Sequence, residues 1–322
     1  MDNQLYVVMY HYVRELRKSR YPEIKGLDYE LFKNQVEFLA NNFNIVSMEE
    51  VIEAYNGSYT LPEKAMLLTF DDGYIDHFNY VFPILNLYKI QGSFFVPGKV
   101  FVENKLLDVN KIHFILASAK IEKLVQALYK QLDYYRGQEY QIMSNEELFN
   151  TYTGESRFDS KEIIFFKRVL QKGLSEDLRN KITSTLFKEY VGIDEEKFAR
   201  ELYMNYDQMR CMKNSGMHFG LHGYDHYWLN KLTEEELVKD IDKALECMGE
   251  LIDSKNWVMN YPYGSYSEDV IKYIDSQNCK LGLSTNVGIA MVGKDNKFKI
   301  PRFDTNDFPP KSSNYISVPL KS

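Results

Sequence analysis

Short apolar runs separated by longer stretches of helical period set the rhythm of this chain. Strand-like runs fall at 5–10 (LYVVMY), 43–47 (FNIVS), 65–70 (AMLLTF), 92–96 (GSFFV), 217–221 (MHFGL), 256–261 (NWVMNY), 280–284 (KLGLS) and 298–303 (FKIPRF). Between them lie helical patterns. Phe32, Val36 and Leu39 recur at helical spacing within 28–42. In 233–252, Thr233 and Glu236 form a capping-box pattern ahead of a stripe of Leu237, Ile241, Ala244 and Leu245. Strand alternating with helix predicts an α/β fold with a parallel sheet or barrel.

The middle of the chain breaks this rhythm. Residues 105–205 show amphipathic helical stretches and no convincing strand. "NKIHFILASAKIEKLVQALYKQLDYY" reads as helix, and "SEDLRNKITSTLFKEY" starts on a predicted N-cap, Ser175. The segment "YRGQEYQIMSNEELFNTYTGESRFDS" is polar and suggests loops. The expected organisation is therefore a core of 1–104 and 206–322, interrupted by a mostly helical insertion at 105–205. Capping the cleft or forming an oligomer contact would each suit such an insertion. The tail from Pro309 carries three prolines and should run extended on the surface.

Composition narrows the function. The 322 residues are 44% hydrophobic and 15% aromatic, enough for a substantial core, and the net charge of −7 argues against a nucleic-acid partner. No uncharged run approaches the ~18 residues a membrane helix needs. The start, "MDNQLYVVMYHYVRE", has an acid in place of a basic n-region, and its apolar run is short for a signal peptide. Cys211, Cys247 and Cys279 are scattered, a pattern that suits a reducing compartment. A cytoplasmic protein is the expectation.

Chemistry gathers at the predicted strand ends. His11 follows the first run, Asp71 and Asp72 the third, His222 the fifth, Tyr263 the sixth, and Arg302 lies near the end of the last. In α/β barrels the site is built at this rim. "HGYDH" spaces His222 and His226 so that both imidazoles can face one point, and imidazole suits zinc and related divalent ions. One carboxylate of the Asp71/Asp72 pair would complete a two-His, one-carboxylate face. The other would stay free as a base. His218 sits four residues before His222, but on a strand that spacing separates them by roughly 13 Å. His77 and His113 read as packing or solvent-facing histidines.

"TFDDG" (69–73), "HGYDH" (222–226) and "YPYG" (261–264) together resemble motifs of the carbohydrate esterase family 4 polysaccharide deacetylases, the NodB-homology proteins. The resemblance covers 1–104 and about 206–322. It implies a distorted (β/α) barrel of about seven to eight strands and metal-dependent removal of acetyl groups from N-acetylated sugars. Carried over, it makes Asp71 the general base and Asp72, His222 and His226 the metal ligands. The backbone N–H of Tyr263 joins the oxyanion hole. The usual late acid histidine has no counterpart, since no histidine follows His226. "MYHYV" is similar to the opening of a permuted branch, which makes His11 the candidate acid. Gly223 stands where Ser or Thr is usual, and Asn260 near where the family arginine would be, with Arg302 as a replacement from another strand.

The expected cofactor is a divalent ion, zinc first, with Co2+, Ni2+, Fe2+ and Mn2+ as alternatives. The expected substrate is an N-acetylated sugar, nucleotide-linked or lipid-linked, on the route to a surface polysaccharide. An oligomer is compatible with the chain. Two rivals remain: a related metal hydrolase acting on another acyl group or a phosphoester, and a carbohydrate-binding module of this fold without turnover.

Overall fold

The structure is a computed structural model, and it describes residues 3–156 and 159–317. The chain divides into two units, one of Met1–Glu15, Gly26–Asn104 and Arg200–Ser322, the other of Leu16–Lys25 and Lys105–Ala199.

The first unit is built on a nine-stranded sheet. Its strands are β1 (Gln4–Tyr10), β2 (Asn44–Ile45), β3 (Ala65–Asp71), β4 (Ser93–Val96), β5 (His218–Leu221), β6 (Trp257–Asn260), β7 (Cys279–Leu283), β8 (Ala290–Met291) and β9 (Phe303–Asp304). The main path runs β8-β1-β3-β4-β5-β6-β7, with β2 added to β3 and β9 to β1. All pairs are parallel except β8 on β1. The sheet curls into a distorted barrel. Ile300 bridges to Leu283 of β7, and Phe303 pairs with Val8 of β1, so one short segment links the two edges.

Period-2 alternation explains how apolar strands deliver polar groups to one rim. Ala65 and Leu67 of β3 belong to the core cluster with Leu5, Val7, Phe95, Val258, Leu281 and Leu283. Thr69 and Asp71 continue the same face toward the carboxyl end. On the other face, Phe70 stacks between Tyr10 and Phe94, with centroids 4.9 and 4.8 Å away. Every residue of β3 is buried, as expected of a parallel strand covered on both sides.

Helices cover the outside. α1 (Tyr29–Asn42) is capped by Asp28 and buries Phe32, Val36 and Leu39. α2 (Glu234–Met248) carries the predicted capping box of Thr233 and Glu236. It ends at Met248, short of the predicted 252, where Gly249 takes φ 48.

Some expectations shift. The strand predicted at 298–303 shrinks to β9, because Pro301 has no N–H for a ladder. β8 was not predicted, being only two residues long. Tyr315 stacks on Phe308 at 4.7 Å, so the tail is anchored as far as that ring; residues 318–322 lie outside the described part.

In the second unit, helices span Asp108–Leu116, Ile121–Tyr135, Asn145–Tyr152, Lys161–Arg168 and Glu176–Tyr190. The first long amphipathic stretch is thus two helices, and the polar segment contains a third, opened by a Ser144/Glu147 capping box. Ser175 occupies the N-cap position, but its side chain makes no capping bond. Tyr21, Phe114 and Phe198 form an aromatic centre, with Phe114 and Phe198 4.7 Å apart.

Candidate functional site

At the carboxyl rim of the sheet, the two adjacent carboxylates part company. Asp71 ends β3 and faces inward, where the Arg302 guanidinium grips both its oxygens at 2.9 Å. Arg302 also donates to Thr69 Oγ1 at 3.2 Å and to the Ser284 carbonyl at 2.8 Å, and both charges are buried. Burial pushes the Asp71 carboxyl upward, but Arg302 first, with His11 and His222, outweighs it and holds it at about 2. Asp71 is therefore ionised across any physiological range. His11 Nε2 lies 3.9 Å from Asp71 Oδ2, and its side chain is 39% exposed against 3% for Asp71. The His11 carbonyl accepts a hydrogen bond from His77 Nε2 at 2.9 Å.

Asp72 has turned the corner. It takes φ 72, and Gly73 follows at φ 71, where a Cβ would come within 2.4 Å of Val96 Cγ1. Only glycine fits there. Asp72 Oδ1 stands 3.3 Å from both His222 Nε2 and His226 Nε2, while Oδ2 accepts the Tyr74 hydroxyl. All three of Asp72, His222 and His226 are buried, and one ligand atom from each lies within 4.8 Å of the others.

The histidines are held from behind. His222 donates from Nδ1 to the Asn260 carbonyl at 2.6 Å, which turns the lone pair of Nε2 toward Asp72. Burial lowers the pKa of His226, favouring the neutral imidazole that binds a cation. The turn between them is tied by Asp240 of α2, which accepts the N–H groups of Tyr224 and Asp225 at 2.9 Å each. Gly223, at φ 69, faces that carboxylate: a Cβ would sit 2.9 Å from Asp240 Oδ2.

Tyr263 holds φ 58, ψ 11 in the turn after β6. Its ring stacks flat on Trp228, 4.5 Å away at 2°, and meets His226 edge-on at 4.7 Å. Asp72, His226 and Tyr263 are thus three non-glycine residues in left-handed backbone at one rim, the kind of strain that gathers at functional sites.

These residues fit a metal ion. Asp72 Oδ1 is buried and has no hydrogen-bond partner among the described residues. Ligands of a tetrahedral ion with zinc-like bond lengths stand about 3.3 Å apart, the spacing found here between Asp72 and each imidazole. The donor set of two imidazoles and one carboxylate suits zinc and its neighbours.

The sequence model of the family described as "Polysaccharide deacetylase" matches residues 58–132 and 179–282, together more than half of the chain. This chain belongs to the polysaccharide deacetylase family. The match enters the helical unit from both sides, further than the three motifs reach. A stretch of 49 residues is 47% identical to the poly-β-1,6-N-acetyl-D-glucosamine N-deacetylase of Escherichia coli K12, covering 15% of this chain and 7% of that enzyme. Among solved structures, IcaB from Ammonifex degensii superposes with a TM-score of 0.56 at 18% identity, over 98% of this chain and 96% of that one. The Streptococcus pyogenes deacetylase PplD, solved with acetate, gives 0.55 at 17%, over the whole of both. At such identities the likeness is one of fold.

The structure brings all six predicted site residues, Asp71, Asp72, His222, His226, His11 and Tyr263, to one rim. His218 is not among them, as its strand spacing implies. Arg302 meets the site through Asp71, whose two carboxylate oxygens it holds while also donating to Thr69 and Ser284. Asn260, by contrast, keeps both side-chain polar atoms buried and unpaired among the described residues. Tyr74, His77, Trp228 and Asp240 escape a motif-based reading. Asp240 alone leaves a trace in the sequence, an acid set among the apolar positions of the α2 stripe.

Proposed function

We propose that this chain is a divalent-metal-dependent N-deacetylase of an acetamido sugar. In this reading Asp72, His222 and His226 hold the ion, Asp71 is the base, His11 the acid, and the Tyr263 N–H an oxyanion donor. The observation that carries it is the division of labour between neighbouring carboxylates. One is clamped and kept ionised by Arg302, and the other turns to two imidazoles an oxygen unpaired among the described residues.

Asp72, His222 and His226 would hold a divalent ion, which when bound would supply acidification of water and polarisation of a carbonyl. Asp71 accepts the proton of the attacking water. Its clamp makes it a weak base, so Arg302 supplies orientation and a fixed charge at the expense of proton affinity. The Tyr263 N–H, fixed by a left-handed backbone and the Trp228 stack, donates to the oxygen that gains charge. His11, the more exposed partner of Asp71, gives its proton to the departing nitrogen. Water and amide become acetate and amine.

Zinc is the first candidate ion, by donor set and spacing. For substrate, the name of the E. coli relative points to a β-1,6-linked N-acetylglucosamine chain. A nucleotide-linked or lipid-linked precursor handled inside the cell is the second reading, favoured by three free cysteines, one of them exposed. No described helix is long and apolar enough to cross a membrane.

The test is acetate release from β-1,6-linked N-acetylglucosamine oligomers, UDP-linked acetamido sugars and lipid-linked saccharides, before and after chelation and zinc return. Zinc-restored acetate release is expected. Formate or phosphate in its place would indicate the rival hydrolase, and tight sugar binding without release would indicate a binding module.

A further inference from the structure

We propose that Tyr74 is a positioning residue for the metal centre: its phenol occupies one oxygen of Asp72 and leaves the other as a single-oxygen ligand. This rests on the metal reading above and concerns how the carboxylate is presented.

The two oxygens of Asp72 live differently. Oδ2 accepts the Tyr74 O–H, whereas Oδ1 has no hydrogen-bond partner among the described residues and is equidistant from the two Nε2 atoms. A carboxylate left to itself can take a cation through one oxygen or both. With a donor on Oδ2, the electron density offered by that oxygen is already committed, and binding through Oδ1 alone is favoured. That leaves an additional coordination position for water or a substrate oxygen, which a hydrolytic site needs.

The hydroxyl is well placed to stay there. Tyr74 is fully buried, so bulk water does not compete for its proton. Its ring lies against Tyr12 with centroids 4.0 Å apart at 23°, and nearly parallel to Tyr203 at 6.1 Å and 12°. His77 meets its edge at 5.6 Å. The backbone is tied as well, through the Tyr74–Tyr203 bridge and the Met204 N–H to the Gly73 carbonyl at 2.9 Å. A phenylalanine would fill this slot equally well. The oxygen is what packing alone leaves unexplained.

Tyr74→Phe removes that one atom. Zinc affinity, measured by competition with a chromophoric chelator, should weaken about 10–100-fold, the usual cost of losing a partner behind a metal ligand. The visible spectrum of the cobalt-loaded variant should lose intensity as Asp72 gains a second bond to the ion. A chain carrying 4-aminophenylalanine at position 74 keeps a donor and should recover most of the affinity; it also carries the test if the Phe variant does not fold. Unchanged zinc affinity and cobalt spectrum in Tyr74→Phe, or no recovery with the amino group, would overturn this role alone. A wild-type chain that binds no divalent ion would overturn the metal reading itself.

Discussion

Two carboxylates side by side in sequence meet opposite fates because a single residue of backbone separates strand from turn. Asp71 keeps the strand's alternation and points to the buried Arg302, while Asp72 enters left-handed backbone and points to imidazoles. Their substitutions should therefore differ in kind. Asp71→Asn should bind zinc like the wild type and lose turnover by at least about a hundredfold, the scale of general-base catalysis. His222→Ala should lose the ion. Zinc titration beside acetate release separates the two, and an active Asp71→Asn chain would contradict the assigned base. Arg302→Ala leaves Asp71 buried without its counter-charge. That should cost about 3–5 kcal/mol of stability in denaturant unfolding. A loss under 1 kcal/mol would mean that Asp71 is solvated in the native state.

At the scale of elements, the site is made by strand ends and by the turns that follow them. The strand ends could be read from apolar runs, since β1, β3, β4, β5, β6 and β7 all fall within a residue or so of the predicted runs. Period 2 then carries Leu67, Thr69 and Asp71 along one face. The supports were less legible, because hydrogen bonds between distant elements leave no local pattern. Arg302 reaches Asp71 across 231 positions, and Tyr74 needs Tyr12 and Tyr203 to hold its ring. Asp240 shows what such support does. Removing its carboxylate in Asp240→Ala leaves the N–H groups of Tyr224 and Asp225 without their acceptor, at about 1–3 kcal/mol for each one left buried. The "HGYDH" turn should loosen, and zinc affinity should fall although no ligand is touched. Isothermal titration of the folded variant would show this, and wild-type affinity would mean that the turn holds itself.

For the whole molecule, the family and the fold class follow from motifs lying far apart in the chain, whereas the helical unit carries little motif signal. Its boundary also differs from a simple reading: Leu16–Lys25 joins that unit because Tyr21 packs on Phe114 and Phe198. Global stability should depend on pH through His77, which burial pushes down to about 4, the hydrogen bond to the His11 carbonyl and then the nearby carboxylates opposing. Above pH ~6.5 the residue is neutral in both folded and unfolded chains and contributes no pH dependence. As pH falls from there toward 4, the unfolded chain takes up a proton that the folded chain refuses, so folding is progressively disfavoured. The full effect is on the order of 3 kcal/mol. Chemical denaturation between pH 7 and 4 should show this decline, and His77→Gln should make it shallower. Equal slopes would mean that His77 titrates normally in the folded chain.

One crystallographic measurement bears on the centre of the account: anomalous diffraction at the zinc edge from zinc-loaded crystals. A single strong peak is expected, bonded to Asp72 Oδ1, His222 Nε2 and His226 Nε2, with Asp71 outside its bonding distance and still clasped by Arg302. A peak elsewhere, or none at full zinc loading, would contradict it.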